Sequence, residues 1–517
     1  MLTSLSAYSQ TNNLSVDKIE QHSIHFHWDD LNKEQVVLKY GLTEKLELGT
    51  VSGLVLTELE AATFYYVKAS TTSKNTPTET VTQLFTTASS SSGDITVYFN
   101  QSVDNNASSI ANATQISAFE DTIIAYINSA QSTLDICNYN TGSLPIITAI
   151  NNLANAGITI RYIAADNTGT NNNELSNLSA TIPMLQRPND GEVMHNKFII
   201  VDAANAALAT VLTGSVNHTD NSCHNDYNNM VIIEDQALAL AYETEFEEMW
   251  GSTGNTPNAT NAKFGADKTD NTPHLFNIGG VPVDLYFSPS DGTTAHIETA
   301  ILSANTEMQF GLLTFINNDL GDAVVSIQNA GVAVKGIIEN QFYWGSEYNK
   351  LANAGVDVHS HFLEAHSFHH KYGIIDANNT SSDPMVITGS HNWTNSAEDD
   401  YDENTLIIHD ATIANLYYEE FMARYADITG LVNVNNLNST ESISVYPNPV
   451  QDVLNINSVA TMEQVILYNS IGQVLFSTAQ IQGKEQQLDL RSFPNGVYFV
   501  SILTNAQPLS IKLIKNK

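Results

Sequence analysis

The chain has 517 residues, enough for two to four domains that each bury a substantial core. Its 20 Lys and Arg residues stand against 56 Asp and Glu residues, and the formal net charge of −36 predicts an acidic surface that repels polyanions. No run of 18 apolar residues occurs, so the sequence predicts no membrane-spanning helix.

The first ninety residues predict an export remnant followed by a small β domain. Residues 1–10 resemble the end of a cleaved signal peptide, with a frayed terminus as an equal alternative. Residues 11–88 alternate in short β patterns typical of a sandwich, and the stretch Leu59 to Tyr65 resembles the L-x-x-x-T-x-Y corner of fibronectin type III modules. We expect a spacer or surface-binding role for this module. Residues 89–93, four serines and a glycine, predict a flexible linker.

From Asp94 onwards the sequence repeats itself at an offset near 174 residues, as where Asn155 to Ile158 matches Asn329 to Val332. In each half, strand patterns alternate with helix patterns, which predicts a mostly parallel sheet covered by helices. Two such lobes should pack face to face. The predicted boundaries are 94–255 for lobe one, 256–280 for a polar connector and 281–430 for lobe two.

One pattern occurs once in each lobe: His-x-Lys-x4-Asp, followed by Gly-Ser-x-Asn. Its members are His195, Lys197, Asp202, Ser215 and Asn217 in lobe one, and His369, Lys371, Asp376, Ser390 and Asn392 in lobe two. An apolar run after each lysine predicts a buried strand with histidine and lysine two positions apart, on one face. Packing of the lobes should then bring both pairs into one cleft.

Paired imidazoles and lysines suit displacement at a phosphodiester. One imidazole can attack phosphorus and form a covalent intermediate, while the other protonates the leaving oxygen and then activates water. A lysine beside each imidazole neutralises the non-bridging oxygens. This chemistry requires no metal and no other cofactor. Because both copies of the pattern are complete, two buried strands with a purely structural role are the less favoured interpretation.

These residues resemble the signature of the phospholipase D superfamily over roughly residues 94 to 430. The resemblance implies a multidomain chain: a central two-lobed α/β fold of mixed, mostly parallel sheets covered by helices, flanked by N-terminal and C-terminal β-sandwich domains. It also implies that His195 is the nucleophile, that His369 is the acid and base, and that the lysines and the aspartates Asp202 and Asp376 belong to the catalytic set.

The resemblance further implies residues that orient the histidines. Members of the family place an acid about thirteen positions after the serine of Gly-Ser-x-Asn, where it holds the second imidazole nitrogen. Glu403 fits that position in lobe two, whereas lobe one has Asn228, so Asp226 is the candidate substitute and the activation of His195 is in doubt. The expected phosphate-binding or orienting residues are therefore Ser215, Asn217, Ser390, Asn392, Glu403 and Asp226.

Three further features have alternative interpretations. Cys137 and Cys223 could form a disulfide near the site, although separate thiols are favoured. The histidines between His359 and His370 could bind a metal, but they lack a defined carboxylate partner, and we predict no metal site. The aromatic run Phe342 to Trp344 could lie at a lipid interface or stack on a base, but we expect it to form an ordinary cleft wall.

Residues 438–517 form a third unit. The stretches Ser444 to Asp452, Leu467 to Gln473 and Leu490 to Tyr498 resemble the C-terminal sorting domain of type IX secretion substrates in Bacteroidetes. The resemblance implies a secreted or cell-surface protein whose partner is the type IX secretion machinery.

Three functions compete: a phospholipase D-type hydrolase of phospholipids, a metal-independent endonuclease of the same fold, and a catalytically inactive surface-binding protein. Only nine Lys and Arg residues lie between Asp94 and Thr429, two of them in the repeated motif, so no basic stripe can follow a nucleic acid. We therefore expect a monomer that acts on phospholipid at a membrane surface, with nucleic acid the less favoured substrate. Hydrolysis and transfer to another alcohol remain open alternatives.

Overall fold

The computed structural model describes residues 14–28, 36–71, 80–166, 172–188, 190–362, 364–430, 443–469, 474–478, 483–504 and 509–516. The predicted signal remnant at residues 1–10 lies outside the described residues. The chain divides into two compact units, Met1–Gly430 and Leu431–Lys517. Within the described part of the chain, no helix is long and apolar enough to cross a membrane.

The N-terminal module consists of two antiparallel sheets. Its strands are β1 (Leu14–Ile19), β2 (Ser23–Trp28), β3 (Val36–Gly41), β4 (Gly49–Ser52), β5 (Val55–Thr57), β6 (Phe64–Thr71) and β7 (Gln83–Thr86). Their orders are β1-β2-β5 and β4-β3-β6-β7. Buried side chains alternate along β6 and share one core with the opposite sheet. The Tyr65 hydroxyl accepts a hydrogen bond from the Glu60 backbone at 2.9 Å, as a tyrosine corner requires.

The serine run before lobe one is not a free linker, contrary to the sequence prediction. Ser89 Oγ donates to Asp235 Oδ2 at 2.5 Å, and Ser91 Oγ accepts from the Gln236 backbone at 3.0 Å. The backbone of Gly93 donates to Glu234 O at 3.0 Å. These serines therefore hydrogen-bond to the residues that begin a lobe-one helix. The composition of the segment predicted flexibility because it does not show that such partners lie nearby.

Lobe one contains an eight-stranded sheet in the order β13-β12-β10-β14-β15-β17-β8-β9. Its strands are β8 (Ile95–Phe99), β9 (Thr114–Gln115), β10 (Thr133–Asn138), β11 (Thr141–Gly142), β12 (Thr159–Ala164), β13 (Met184–Gln186), β14 (Lys197–Val201), β15 (Thr210–Gly214), β16 (His218–Thr219) and β17 (Asn229–Ile233). Its helices are α1 (Phe119–Ile127), α2 (Leu144–Asn155), α3 (Asp220–His224) and α4 (Gln236–Trp250). The short strands β11 and β16 pair separately.

Lobe two contains a second eight-stranded sheet in the order β18-β19-β25-β24-β23-β20-β21-β22. Its strands are β18 (Leu275–Ile278), β19 (Val281–Ser288), β20 (Glu307–Leu312), β21 (Ala333–Ile338), β22 (Asp357–Ser360), β23 (Lys371–Ile375), β24 (Met385–Gly389) and β25 (Glu403–Ile408). Its helices are α5 (Thr293–Leu302), α6 (Asn318–Asn329), α7 (Tyr348–Asn353), α8 (Asn395–Asp399) and α9 (Ala411–Thr429). Strand β18 lies inside the predicted connector.

The mixed α/β class is confirmed, but the expectation that parallel pairing dominates is wrong. Among the described strands, four neighbouring pairs of the lobe-one sheet are antiparallel and three are parallel. In lobe two, five are antiparallel and two are parallel. Helical crossovers give parallel pairs such as β10 with β12, whereas the short connection from β14 to β15 permits only an antiparallel return.

The four longest described helices, α2, α4, α6 and α9, begin at side-chain caps. Ser143, Asp235, Asn317 and Asp410 each accept a hydrogen bond from a backbone N–H in the first turn of their helix. Helix α4 ends at Gly251, whose φ of 75° is left-handed and favours glycine.

The two lobes share one hydrophobic core, which fixes their faces against each other. Tyr242 of α4 packs edge to face on Phe287 of β19 with ring centroids 5.2 Å apart. Phe99 of β8 makes the equivalent contact with Tyr417 of α9, also at 5.2 Å. All four side chains are fully buried. Such contacts position the ends of β14 and β23 at one interface.

The C-terminal unit is a strand-rich domain with its own core, and its described strands form a single six-stranded sheet. Its strands are β26 (Ile443–Tyr446), β27 (Val453–Asn469), β28 (Val474–Ser477), β29 (Gly483–Asp489), β30 (Gly496–Thr504) and β31 (Leu509–Lys515). The order is β26-β27-β30-β31, and β28 and β29 both pair with β27. A strand-rich C-terminal domain is therefore confirmed.

Candidate active site

The two histidine motifs meet where the lobes touch. Each lysine begins a fully buried strand, β14 or β23, and each histidine lies two residues before it. The His195 backbone N–H donates to Asp402 O at 2.9 Å, and the His369 backbone N–H donates to Tyr227 O, also at 2.9 Å. The backbone of each motif is thus hydrogen-bonded to the backbone of the opposite lobe.

The side-chain contacts of the histidines cross between the lobes. His195 Nδ1 lies 2.8 Å from both Oε1 and Oε2 of Glu403, which belongs to lobe two. His369 Nδ1 lies 2.9 Å from Oδ1 of Asn228, which belongs to lobe one. The sequence-based pairing within each lobe is therefore wrong. His195 has the carboxylate, and His369 has the neutral amide.

Asp226 does not replace the missing acid, so this expectation is also wrong. Its Oδ1 accepts from the Ser367 backbone at 3.2 Å, and its Oδ2 accepts from Asn221 Nδ2 at 2.7 Å. Asn228 occupies the orienting position itself. Its Nδ2 donates to Ser222 O at 2.9 Å, which a carboxylate at this position could not do.

Ser215 and Ser390 support the orienting residues. Ser215 Oγ donates to Asn228 Oδ1 at 2.8 Å and accepts from the Asn229 backbone at 3.0 Å. Ser390 Oγ accepts from the backbone of Asn404, the residue after Glu403, at 3.0 Å. Both serines therefore position Asn228 and Glu403.

The glycine before each serine is required by a close backbone approach. Gly214 and Gly389 have φ values of 137° and 138°. A Cβ atom at these positions would lie 2.5 Å from Asn229 O and 2.2 Å from Asn404 O, respectively. The Gly-Ser pair thus keeps β15 and β24 against the strands that hold Asn228 and Glu403.

The two lysines are buried beside their histidines. Lys197 Nζ donates to His195 O at 2.5 Å, and Lys371 Nζ donates to His369 O at 2.8 Å. Within the described residues, neither ammonium forms a salt bridge. Burial lowers the pKa of Lys197 to about 7 and lowers the pKa of Lys371 well below its ordinary value, with Lys197 adding to the second shift. An anion placed between them would therefore be bound strongly.

Burial also favours the neutral form of both histidines. It lowers the pKa of His195 to about 4, although Glu403 opposes the shift. It lowers the pKa of His369 well below the ordinary value, and the nearby lysines add to this effect. The Glu403 carboxyl is buried, which by itself raises its pKa, but His195 outweighs the burial and the net shift is downward. A neutral imidazole whose Nδ1 proton is donated has a free lone pair on Nε2.

Asn217 and Asn392 complete the two motifs. In the described structure, Oδ1 of each residue is buried without a hydrogen-bond partner. An unpartnered buried acceptor is costly, so each oxygen is suited to accept a hydrogen bond from a ligand hydroxyl or from water. A phosphate oxygen could be bound only by the amide Nδ2, and phosphate binding by these two residues stays a prediction.

The motif aspartates lie at the wrong end of their strands for catalysis. A strand of five residues places Asp202 about 16 Å from Lys197. The Asp202 carboxylate accepts the backbone N–H groups of Gln131, Ser132 and Thr133 at 2.7, 2.7 and 2.8 Å. The catalytic assignment of Asp202 is therefore corrected to a structural one.

Asp376 has the equivalent structural role in lobe two. Its carboxylate accepts the backbone N–H groups of Asn305, Thr306 and Glu307 at 2.9, 2.8 and 3.0 Å. Burial would raise its pKa, but these bonds and one from Ser382 produce a net lowering. Asp202 and Asp376 both have left-handed φ values, 46° and 50°, which aspartate tolerates better than most residues.

A second layer of polar side chains, not predicted from the sequence, lies behind the site. Asn404 Nδ2 donates to Asn196 Oδ1 at 2.8 Å, and Thr213 Oγ1 donates to Asn404 Oδ1 at 2.8 Å. Asn229 takes the equivalent position beneath His370, with its Nδ2 3.1 Å from His370 Nδ1. Asn229 and Asn404 occupy matching positions in the internal repeat, and this repetition could have identified them from the sequence.

Tyr139 was also missed. Its ring lies 4.7 Å from the His195 ring in an edge-to-face arrangement, and Lys197 Nζ lies 4.9 Å from its centroid. The matching position of lobe two is Leu313, so the repeat gave no signal for this tyrosine. Tyr139 makes the lobe-one side of the site aromatic.

The two cysteines are free thiols, and both are buried. Cys137 Sγ lies 3.2 Å from Met194 Sδ, whereas Cys223 Sγ contacts Asn217 O at 3.6 Å. The disulfide alternative is therefore wrong.

The histidine run uses separate partners. His359 Nε2 lies 2.9 Å from Asp357 Oδ1, His361 Nδ1 lies 3.2 Å from Glu339 Oε2, and His370 Nε2 lies 3.2 Å from Glu420 Oε1. Across the described residues, no group of three or more His, Cys, Asp or Glu side chains is arranged to hold a metal ion.

Comparison with known proteins identifies the family. The family described as "Cardiolipin synthase, PLD-like domain" matches residues 123–250 and 297–425, which include both histidine motifs. The mouse mitochondrial cardiolipin hydrolase is 30% identical over 200 residues, 37% of this chain and 87% of that protein. This chain belongs to the phospholipase D superfamily, and the corresponding sequence prediction is confirmed. Its relatives indicate a phosphodiesterase-type hydrolase.

Two other similarities extend the comparison. The human mitochondrial cardiolipin hydrolase is 33% identical over 124 residues, 24% of this chain and 46% of that protein. The crystal structure of Nuc, a phospholipase D family member from Salmonella typhimurium, is 26% identical, with a TM-score of 0.24 over 28% of this chain and 93% of that one.

The C-terminal unit matches a second family, the "Secretion system C-terminal sorting domain", over residues 444–516. This domain marks secreted or cell-surface proteins of the Bacteroidetes type, so the predicted localisation is confirmed. It also implies the export machinery as a partner.

The structural assignment of Asp202 can be tested with Asp202→Asn. The substitution removes the charge that three backbone N–H groups share, so we expect the free energy of unfolding to fall by about 1–3 kcal/mol. Turnover of the folded variant should remain near wild type, because Asp202 is remote from the histidines. Thermal unfolding and turnover of a soluble phosphodiester measure the two effects. Asp376→Asn is the matched variant, and loss of turnover as severe as in His195→Ala without unfolding would restore a catalytic role.

Proposed function

We propose that this protein is a secreted phospholipid phosphodiesterase that works through a covalent phosphohistidine. The observation that supports the proposal is the crossed arrangement of two histidines. Each imidazole donates its Nδ1 proton to a residue of the other lobe, which leaves both Nε2 atoms available. Two buried lysines, which have no salt-bridge partner among the described residues, flank the pair. The arrangement suits one tetrahedral anion held between two imidazoles.

In the first step, His195 Nε2 attacks phosphorus and forms a P–N bond. His369 takes up a proton from solvent on Nε2 when the anionic phosphodiester binds. As the P–O bond to the leaving alcohol breaks, the alcohol oxygen takes that proton from His369 Nε2. In the second step, His369 Nε2 accepts a proton from water, whose oxygen attacks phosphorus as the P–N bond breaks. An alcohol in place of water would give transfer instead of hydrolysis.

The unequal partners of the two histidines support the assignment of His195 as nucleophile. An N-phosphorylated imidazole is cationic, and the buried Glu403 carboxylate on Nδ1 supplies the countercharge. His369 has only the neutral amide of Asn228. Its imidazolium, formed when the anionic substrate provides a countercharge, readily gives its proton to the leaving oxygen. Glu403 and Asn228 thus assign different roles to two otherwise similar histidines.

Lys197 and Lys371 should stabilise the negative charge that shifts onto the non-bridging oxygens. Both are buried, so little solvent screens their effect on the bound phosphate. The same burial makes them costly to keep charged when the site is empty. Asn217 and Asn392 would complete the cradle.

The choice of a lipid substrate is supported by the state of the remaining basic residues. Of the nine Lys and Arg residues between Asp94 and Thr429, seven form salt bridges with carboxylates: Arg161, Arg187, Lys263, Lys268, Lys335, Lys350 and Arg424. The other two are Lys197 and Lys371. Between Asp94 and Thr429, a nucleic acid would thus meet an acidic surface on which every Lys and Arg outside the site is paired with a carboxylate. The mouse and human relatives are named for hydrolysis of a phospholipid, cardiolipin.

A burst experiment tests the division of roles. With a 4-nitrophenyl phosphodiester, the leaving group needs no proton, so His369→Ala should still release one equivalent of nitrophenolate and then stall. Mass spectrometry of the quenched variant should place the phosphoryl group on His195. His195→Ala should show no burst. A phosphoryl group on His369 of the His195→Ala variant would reverse the assignment, and failure to find either adduct would refute the covalent mechanism.

A substrate comparison tests the function. Purified protein should hydrolyse phosphatidylcholine, phosphatidylethanolamine or cardiolipin faster than single-stranded or double-stranded DNA, with chelator present. Lipid hydrolysis should change little as salt rises, because the site binds one phosphate, whereas nuclease binding would fall steeply. His195→Ala serves as the control for contaminating activity. Faster, salt-sensitive DNA cleavage would establish the endonuclease instead, and lack of turnover on every diester would support the inactive binding protein.

A further inference from the structure

Four aromatic side chains are exposed on two neighbouring loops of lobe two. Trp344 is 97% exposed, Phe342 is 70% exposed, Phe362 is 47% exposed and Tyr343 is 46% exposed. We call these four residues the aromatic rim. The Phe342 and Phe362 rings pack edge to face with centroids 5.4 Å apart. The expectation that Phe342 to Trp344 form an ordinary cleft wall is therefore wrong, because the side chains point away from the core.

The aromatic rim lies at the catalytic edge of the lobe-two sheet. Its first loop follows β21, where the Glu339 backbone donates to Leu312 O at 2.9 Å, and Leu312 is the register partner of Lys371. Its second loop follows β22, where the His361 backbone donates to Ile338 O at 3.0 Å. Both loops thus leave the sheet at the level of the catalytic lysine.

A short series of contacts connects the rim to the catalytic histidine. Phe362 follows His361 in the chain, and the His361 ring lies 5.3 Å from the Phe368 ring. Phe368 directly precedes His369, and its backbone N–H donates to Glu339 Oε2 at 2.8 Å. A surface that covered the rim would therefore lie beside the mouth of the site.

The first loop is an ordered turn. The Phe342 backbone donates to Asn340 Oδ1 at 2.8 Å, and the Ser346 backbone donates to Tyr343 O at 3.0 Å. Gly345 has a left-handed φ of 82°, which directs the chain back after Trp344. Exposed aromatic groups held in place by a turn are typical of an interaction surface.

The charge of the rim indicates which surface it contacts. Residues 340–346 contain no charged side chain, and the next charges along the two loops are Glu347 and Glu364. Without cations, the rim cannot hold a polyanion. Tryptophan and tyrosine side chains favour the boundary between water and lipid headgroups, where an apolar ring and a polar edge are both satisfied. A neutral, zwitterionic headgroup surface fits this combination, whereas a strongly anionic one would be repelled by a chain of net charge −36.

We propose that the aromatic rim inserts into a zwitterionic phospholipid surface and places the catalytic cleft against it. The proposal rests on the proposed lipid substrate, since it supplies the means by which an acidic enzyme stays on a membrane. Trp344 and Phe342 provide most of the inserted area. The lobe interface then faces the headgroups, where the scissile phosphates lie.

The test measures binding without turnover, so that it is independent of the catalytic proposal. The full chain carrying His195→Ala is mixed with phosphatidylcholine vesicles, and binding is followed by flotation and by tryptophan emission. The chain has four tryptophans. Trp250 and Trp393 are fully buried and Trp28 is partly buried, so a blue shift on binding reports Trp344. We expect a blue shift together with co-flotation.

Matched variants identify the surface. Trp344→Ser and Phe342→Ser, each added to His195→Ala, should weaken vesicle binding by about tenfold or more, because each loses a large inserted ring. Leu302→Ser, which removes a side chain that is 49% exposed on α5, should bind like the parent. Vesicles enriched in phosphatidylglycerol should bind more weakly at low salt. Circular dichroism confirms that each variant is folded.

Several outcomes would overturn the proposal. Absence of vesicle binding, or binding that Trp344→Ser and Phe342→Ser leave unchanged, would exclude the rim as a lipid anchor. A Trp344 emission change with oligothymidylate but not with vesicles would indicate base stacking. Self-association that Trp344→Ser abolishes would assign the rim to a second copy of the chain. Lipid hydrolysis without rim-dependent binding would leave the proposed function intact while refuting the anchor.

Discussion

The crossed hydrogen bonds of the two histidines are the constraint on which the site depends. His195 is held by Glu403 and His369 by Asn228, so each lobe orients the imidazole of the other. Neither lobe contains a complete site alone. The backbone hydrogen bonds from His195 to Asp402 and from His369 to Tyr227 also join each motif to the opposite lobe. A small rotation between the lobes would therefore disturb both imidazoles at once, so the interface between the lobes is part of the proposed active site.

Buried charges beneath Glu403 keep the lobes in register. Arg187 of lobe one lies 2.6 Å from Asp402 of lobe two, and Lys268 of the connector lies 2.5 Å from Glu245 and 3.4 Å from Asp402. All four side chains are almost fully buried. Removing one partner of such a pair leaves an uncompensated charge and costs about 3–5 kcal/mol. The connector thus contributes more than a covalent link, because its lysine neutralises carboxylates from both lobes next to the orienting glutamate.

The repeated motif was enough to predict which side chains form the site. The sequence did not predict the contacts that depend on the three-dimensional packing of the two lobes. The motif identified the histidines and lysines, and the apolar run after each lysine predicted its buried strand. Spacing along one chain cannot show which lobe a side chain faces, so Glu403 was paired with the wrong histidine. The aspartates of the motif were grouped with the lysines although a whole strand separates them. The antiparallel return of β15 and the exposure of Trp344 depend on loop geometry and tertiary packing, which periodicity does not encode.

The crossed pairing can be measured directly by 15N NMR of the histidine side chains, with His195→Ala and His369→Ala used to assign the signals. Glu403→Gln removes the carboxylate that raises the pKa of His195. The account predicts that the substitution changes the Nδ1 shift of His195 and lowers its pKa further, while the signals of His369 stay nearly unchanged. A change at His369 with His195 unaffected would contradict the crossed arrangement and with it the division of roles between the two histidines.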